Sequence, residues 1–321
     1  MNANESAVPG PGTEHPPAVA YLFLTLTALF LAINYVIGRG VHQEIPPVGL
    51  SFWRWVVGAL ILAPFVLSRP GAFSRIFGHH GRVMLLLGSM LVGSTTLVLV
   101  ALNSTTAINV SVINAVQPGL TVLFAWMFLS EPMSRRQLLG IGAACAGVLV
   151  MLSAGRWETL AGFELSGGGL IALLAMSGFA GYAVNLYRLP PELNFAESLF
   201  GIIVLGSLAL LPFYLIESLF VAAVPLNMKA LGAVFTLALL VSVLAMLMWN
   251  FGNRRIGPGR ASVFINLVPV FGMILATAFL GESIQGFHVA GTACIVAGIR
   301  LAVNKTPGRP NHQKPSGAGD L

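Results

Sequence analysis

Residues 18–38, AVAYLFLTLTALFLAINYVIG, hold no charged side chain, and runs of this kind recur to residue 303. A helix of ~20 apolar residues spans the ~30 Å hydrocarbon core of a bilayer. Transmembrane strands alternate polar and apolar residues over ~10-residue segments, and these runs are apolar almost all round. The pattern predicts an all-α polytopic membrane protein with ten transmembrane helices, at 18–38, 47–68, 83–102, 106–129, 136–154, 168–188, 195–216, 229–251, 258–280 and 285–303. Composition allows nothing else: 9% of the residues are charged, against about 25% in soluble domains. Cys145 and Cys294 both fall inside spans, so they read as buried small residues and not as a disulfide framework.

Lys and Arg orient the spans. With the N-terminus in the cytoplasm, 13 of the 17 basic residues fall on the cytoplasmic side, three (Arg39, Arg156, Lys229) fall outside, and Arg54 lies within span 2. This is the positive-inside distribution. It predicts that both termini are cytoplasmic, and it accounts for the net charge of +6 without a nucleic-acid partner. Residues 1–17 and 304–321 read as polar cytoplasmic tails.

A second pattern is a repeat. Sliding the chain by 151 residues aligns 111–150 with 262–301 without a gap, with ten identities in 40 positions, among them Ser111/Ser262, Pro118/Pro269 and Glu131/Glu282. The same offset pairs Asn34 with Asn185. Five spans per copy is an odd number, so the second copy must be inverted in the membrane. The loop charges agree: Arg135 and Arg136 follow span 4, and no Lys or Arg occupies the matching loop after span 9. Inverted repeats characterise many secondary transporters, whose substrate binds near the midplane between the repeats.

Here the chain resembles a known family. A proline within the span, a Phe-Leu-x-Glu ending and a Gly-rich following helix in each half look like the EamA repeat of the drug/metabolite transporter superfamily. Asn34, Pro47, Arg54 and the stretch MWNFGNRRIGPGRASVFINLVPV support the resemblance, and that stretch is similar to the corresponding part of the YddG-type amino-acid exporters. The resemblance implies EamA-like repeats over 18–154 and 168–303 and an inner-membrane exporter of small metabolites, amino acids foremost. Helices 1, 3, 4, 6, 8 and 9 would surround its cavity. A drug or nucleotide-sugar carrier of the same superfamily, and a non-transporting scaffold, are the alternatives.

Particular residues carry this reading. Pro118 and Pro269 predict kinks that free the carbonyls of Asn114 and Ile265, which must then face protein or water. Ser111, Asn114 and Gln117 share one side of span 4, and Ser262 and Asn266 share a face of span 9; each set is a candidate cavity lining or interhelical glue. Asn34 and Asn185 are read as pathway lining or as packing contacts. Tyr35, Tyr182, Tyr187, Trp249 and Asn250 stand either in the pathway or in the interfacial aromatic belt. Arg54 either snorkels outward or meets a substrate carboxylate. Glu131 and Glu282 read as turn residues near the helix caps Ser134 and Ser283. Small residues in 140–147 and at Ala290, Cys294 and Gly298 predict close helix packing or a dimer face. No mid-membrane carboxylate or histidine is present, which points to facilitated diffusion or exchange. No catalytic, metal or cofactor motif is found. Oligomeric state stays open, a monomer being sufficient for a pathway.

Overall fold

A computed structural model describes residues 17–41, 43–104, 110, 113–114, 116–130, 134–153, 156, 158, 167–280 and 285–303. Among the described residues there is no strand. The helical rods are α1 (Pro17–Val41), α2 (Pro47–Leu67), α3 (Gly81–Ser104), α4 (Gln117–Leu129), α5 (Arg135–Leu152), α6 (Gly167–Asn185), α7 (Phe195–Phe220), α8 (Met228–Ile256), α9 (258–280) and α10 (Gly286–Val303).

Local sequence sets the boundaries. Pro47 opens α2, where its missing N–H costs no bond. Asn194 and Glu197 form a reciprocal capping box at the start of α7. Asn227 caps α8 through the Ala230 N–H, and Ser134 caps α5 through the Gln137 N–H, as the sequence predicted for Ser134. Gly257, at φ +87°, turns the chain from α8 into α9. Glu131, Glu282 and Ser283, and the two tails, lie outside the described residues.

By length and composition seven rods can cross a membrane: Ala18–Gly38, Pro47–Leu67, Gly81–Ser104, Gly167–Arg188, Phe195–Phe220, Met228–Ile256 and Pro258–Leu275. The ten spans expected are thus met in part. Helix is continuous through span 4 only from Gln117, several residues before it lying outside the description. The helix Gly286–Ala302 is a shorter apolar one, and α5 opens on Arg135 and Arg136. Large apolar side chains stand exposed along the rods, including Leu60, Phe65, Leu139, Leu174 and Phe213. Water would penalise such a belt, and lipid accommodates it.

The rods pack in a connected bundle. α1 lies on α8 and α9, α3 on α6 and α7, α2 on α7 and α8, and α4 on α6. A close seam joins α5 to α10. A Cβ on Gly140 would sit 2.6 Å from the Gly298 carbonyl oxygen, and one on Gly147 would sit 2.5 Å from that of Gly291. The small residues therefore let two backbones touch within one chain.

Two rods depart from α-geometry. The middle of α8, Leu237–Ala245, is π-helical, a form concentrated at functional sites. In α9, Ser262–Leu267 tightens to a 3₁₀-helix before α-helix resumes at Val268.

Candidate functional site

A cavity opens where α1, α2, α3, α6, α8, α9 and the approach to α4 converge. Its wall contains Leu31, Asn34, Tyr35, Arg54, Trp55, Ser94, Thr95, Val98, Asn114, Gln117, Met176, Phe179, Val241, Met246, Ile265 and Val268. The centre of a water molecule can occupy about 60 Å³ of it. Polar side chains converge on it from α1, α2, α3 and the start of α4, and its walls are otherwise apolar, the arrangement of a small-molecule site.

Each polar group is set by its helix. Gln117 is the first residue of α4, with Asn114 one turn earlier in a helical turn. Both are buried. The Thr121 hydroxyl donates to the Gln117 carbonyl at 3.0 Å, and the Gln117 amide donates to Thr121 Oγ1 at 3.5 Å. In α3, the Ser94 and Thr95 hydroxyls donate back to the Leu91 carbonyl at 3.0 and 2.9 Å, so their oxygens keep acceptor capacity toward the cavity.

Pro118 and Pro269 stand at equivalent places in α4 and α9. Pro118 falls in the first turn of α4, and Pro269 is the second residue of the α-helical part of α9. At those positions a missing N–H is tolerated; the irregularity expected at a mid-helix proline is taken up by the 3₁₀ stretch that precedes Pro269. Asn114 and Ile265, four residues before the prolines, both line the cavity.

Arg54 departs furthest from a surface reading. The residue is 1% exposed, and Nη1 donates to Asn34 Oδ1 at 3.2 Å. The guanidinium lies 5.0 Å from the Trp55 ring. Outward snorkelling does not occur, because this face of α2 turns into the bundle.

The remaining predicted residues lie elsewhere. Tyr182, Trp249 and Asn250 form a second buried polar group, in which the Tyr182 hydroxyl donates to Asn250 Oδ1 at 2.7 Å. Trp249 is fully buried and its ring centroid is 5.3 Å from that of Phe179. It packs in the core and does not join an interfacial belt. Phe179 also lines the cavity, so it stands between the two groups. Ser262 donates to the Gly259 carbonyl at 3.1 Å, and Asn266 is buried with its amide nitrogen lacking a partner among the described residues. Asn185 closes on its own helix, donating to the Gly181 carbonyl at 2.8 Å, and is absent from the cavity wall. Tyr187 is 54% exposed. Ser111 lies outside the described residues.

Sequence reasoning missed Ser94, Thr95, Trp55, Phe179 and Met176. The Ser94-Thr95-Thr96 triplet inside an apolar run was a usable signal; the aromatic and Met positions carried none.

Comparison with known proteins now gives this arrangement a family. The profile of the EamA-like transporter family matches the chain twice, over residues 18–153 and 166–304. The chain belongs to the EamA-like transporter family. It is 28% identical to the uncharacterized transporter YyaM of Bacillus subtilis (strain 168), over 88% of this chain and 92% of that protein. It is 27% identical to a Salmonella typhimurium protein named as a probable amino-acid metabolite efflux pump, over 60% of this chain and 66% of that one. A solved crystal structure shares the fold with a TM-score of 0.73 at 20% identity, covering 89% of this chain and 96% of that chain. The chain is thus a multi-pass membrane transporter of this superfamily.

Proposed function

We propose that this protein exports small metabolites, amino acids foremost, across the inner membrane by alternating access through the cavity between α1, α2, α3, α4, α6, α8 and α9. The observation that carries the reading is the cavity itself. Asn34, Asn114, Gln117, Ser94 and Thr95 present polar groups inside an apolar bundle, where an unused hydrogen-bonding group is costly. The amino-acid assignment is supported by the name of the Salmonella relative and by an amide and hydroxyl lining suited to small zwitterions.

The architecture proposed is an inverted five-plus-five repeat of 18–154 and 168–303, with ten spans and both termini cytoplasmic. The two family matches support it. So does the α5–α10 seam: the offset of 151 converts the Gly140–Gly298 contact into the Gly291–Gly147 contact. It also relates Asn114 to Ile265 and Gln117 to Val268, and all four line the cavity. Pro118 and Pro269 are proposed as the joints about which the two repeats rock, with Tyr182, Trp249, Asn250, Ser262 and Asn266 closing the pathway on the cytoplasmic side of the cavity. Asn185, and Ser111 by its place in the repeat, are proposed at the pathway's margins.

Among the described residues the wall contains no Asp, Glu or His. This supports transport by facilitated diffusion or exchange. The apolar share of the wall supports a second cargo class, lipophilic drugs. Uptake by proteoliposomes of amino acids, nucleosides and cationic drugs tests the proposal. Amino-acid flux above that of empty vesicles, without proton movement, is expected. Drug flux alone would favour the second class, and zero flux across the panel would contradict transport.

A further inference from the structure

We infer that Arg54 is a carboxylate-binding site, so that the cargo of the cavity is defined by a carboxylate and not by an amine. The inference rests on the transport reading above and deepens it.

Four observations lead to it. The Arg54 side chain is buried and lines the cavity. Nη1 is engaged by Asn34, whereas Nε and Nη2 have no hydrogen-bond partner among the described residues. Those two nitrogens lie along one edge of the guanidinium, and their N–H groups form the fork that matches the two oxygens of a carboxylate. The ion pairs among the described residues engage Arg69, Arg75 and Lys229 and leave Arg54 out.

A guanidinium stays protonated in proteins, and a buried charge without a counter-ion is strongly unfavourable. Asn34 supplies one neutral acceptor, and Trp55 at 5.0 Å supplies a ring face. Neither neutralises the charge. An incoming carboxylate would do so and would satisfy both idle donors at once. A purely structural arginine would have its fork occupied by backbone carbonyls or by an acidic side chain, and among the described residues nothing occupies it.

The rest of the wall makes the amine dispensable. Among the described residues the wall offers no Asp or Glu to pair with an ammonium, only neutral acceptors such as the amide oxygens of Asn114 and Gln117 and the hydroxyls of Ser94 and Thr95, and the rings of Tyr35 and Phe179. Replacing the α-amino group by a keto oxygen therefore removes weak contacts, whereas converting the carboxylate to an amide removes the ion pair. A 2-oxo acid should bind nearly as well as its parent amino acid, and an amino-acid amide should not.

The experiment uses the full chain in detergent and in proteoliposomes. Probes are alanine, leucine and phenylalanine, their carboxamides, 4-methyl-2-oxopentanoate, and uridine as a neutral control. Binding is read from the fluorescence of Trp55, which adjoins Arg54, with Trp55→Phe to identify its signal, and flux from labelled solute. The expected result is binding of the acids and of the oxo acid, with each carboxamide weaker by about tenfold or more, the loss of a charge-assisted bond. Arg54→Gln should weaken acid binding by a similar factor and narrow the gap between acid and carboxamide, while Arg54→Lys, lacking the fork, should fall between. Should Arg54→Gln not yield a monodisperse protein, the acid–carboxamide comparison on the wild type decides. Equal binding of acid and carboxamide, or no binding of any acid, would overturn the inference. Uridine flux with no acid binding would overturn it and leave transport intact. Acid binding without flux would uphold the site and overturn transport.

Discussion

One methyl group added at Gly140 should destabilise the protein, and one added at Gly142 should not. A Cβ on Gly140 would lie 2.6 Å from the Ala302 backbone nitrogen and 2.6 Å from the Gly298 carbonyl oxygen. Backbone cannot rotate aside as a side chain can, so α5 and α10 would have to separate. A Cβ on Gly142 meets nothing within 4 Å. Both changes gain about 0.8–1 kcal/mol of helix propensity, so that term cancels between them. What remains is overpacking at Gly140, about 1–3 kcal/mol. Gly142→Ala should be neutral or slightly stabilising, and Gly140→Ala should be less stable than Gly142→Ala by that amount. Gly291 is the repeat mate of Gly140, and its Cβ would sit 2.6 Å from the Gly147 carbonyl oxygen, so Gly291→Ala should match Gly140→Ala. Equilibrium unfolding in mixed micelles, followed by circular dichroism, measures all three. Equal costs at Gly140 and Gly142 would refute the packing argument. A harmless Gly291→Ala beside a costly Gly140→Ala would refute the symmetry.

Other outcomes follow from single contacts. Tyr182→Phe removes the donor to Asn250 and leaves a buried amide oxygen unpaired, at about 1–3 kcal/mol; adding Asn250→Leu should recover part of that in a double-mutant cycle of melting temperatures. Glu217 on α7 accepts from the Val48 and Gly49 N–H groups at the start of α2, so Glu217→Ala should lower unfolding stability by about 0.5–2 kcal/mol, as loss of a helix cap does. Gln117→Leu keeps the size of the side chain and removes its polarity, so initial flux in proteoliposomes should fall several-fold while the melting temperature holds or rises.

Much of this was legible in sequence. The seven spans were evident as apolar runs, because a bilayer demands about 20 apolar residues whatever surrounds them. The glycines of 140–147 and Gly298 announced a close seam, since only small residues let backbones meet. Asn34, Tyr35, Asn114 and Gln117 were candidates for the wall because polar groups in apolar helices need partners. Helix rotation was not legible. Hydropathy gives a span its length, but packing sets which side faces inward, so the inward turn of Arg54 and the burial of Trp249 needed the fold. Asn185 shares a repeat position with Asn34, yet it bonds back to Gly181 where α6 gives way to the 3₁₀ turn Leu186–Arg188. The π-helical stretch of α8 had no sequence signature. It arises where α8 packs against α1 and α2.

Alternating access requires one cavity reached in turn from the two faces of the membrane. A cysteine at Asn114, in a protein whose Cys145 and Cys294 are replaced by alanine, tests this with impermeant thiol reagents applied to either side of oriented vesicles. Modification from each face, with both rates reduced by a transported amino acid, is the predicted result. Modification from one face alone under every condition, or from neither, would contradict it.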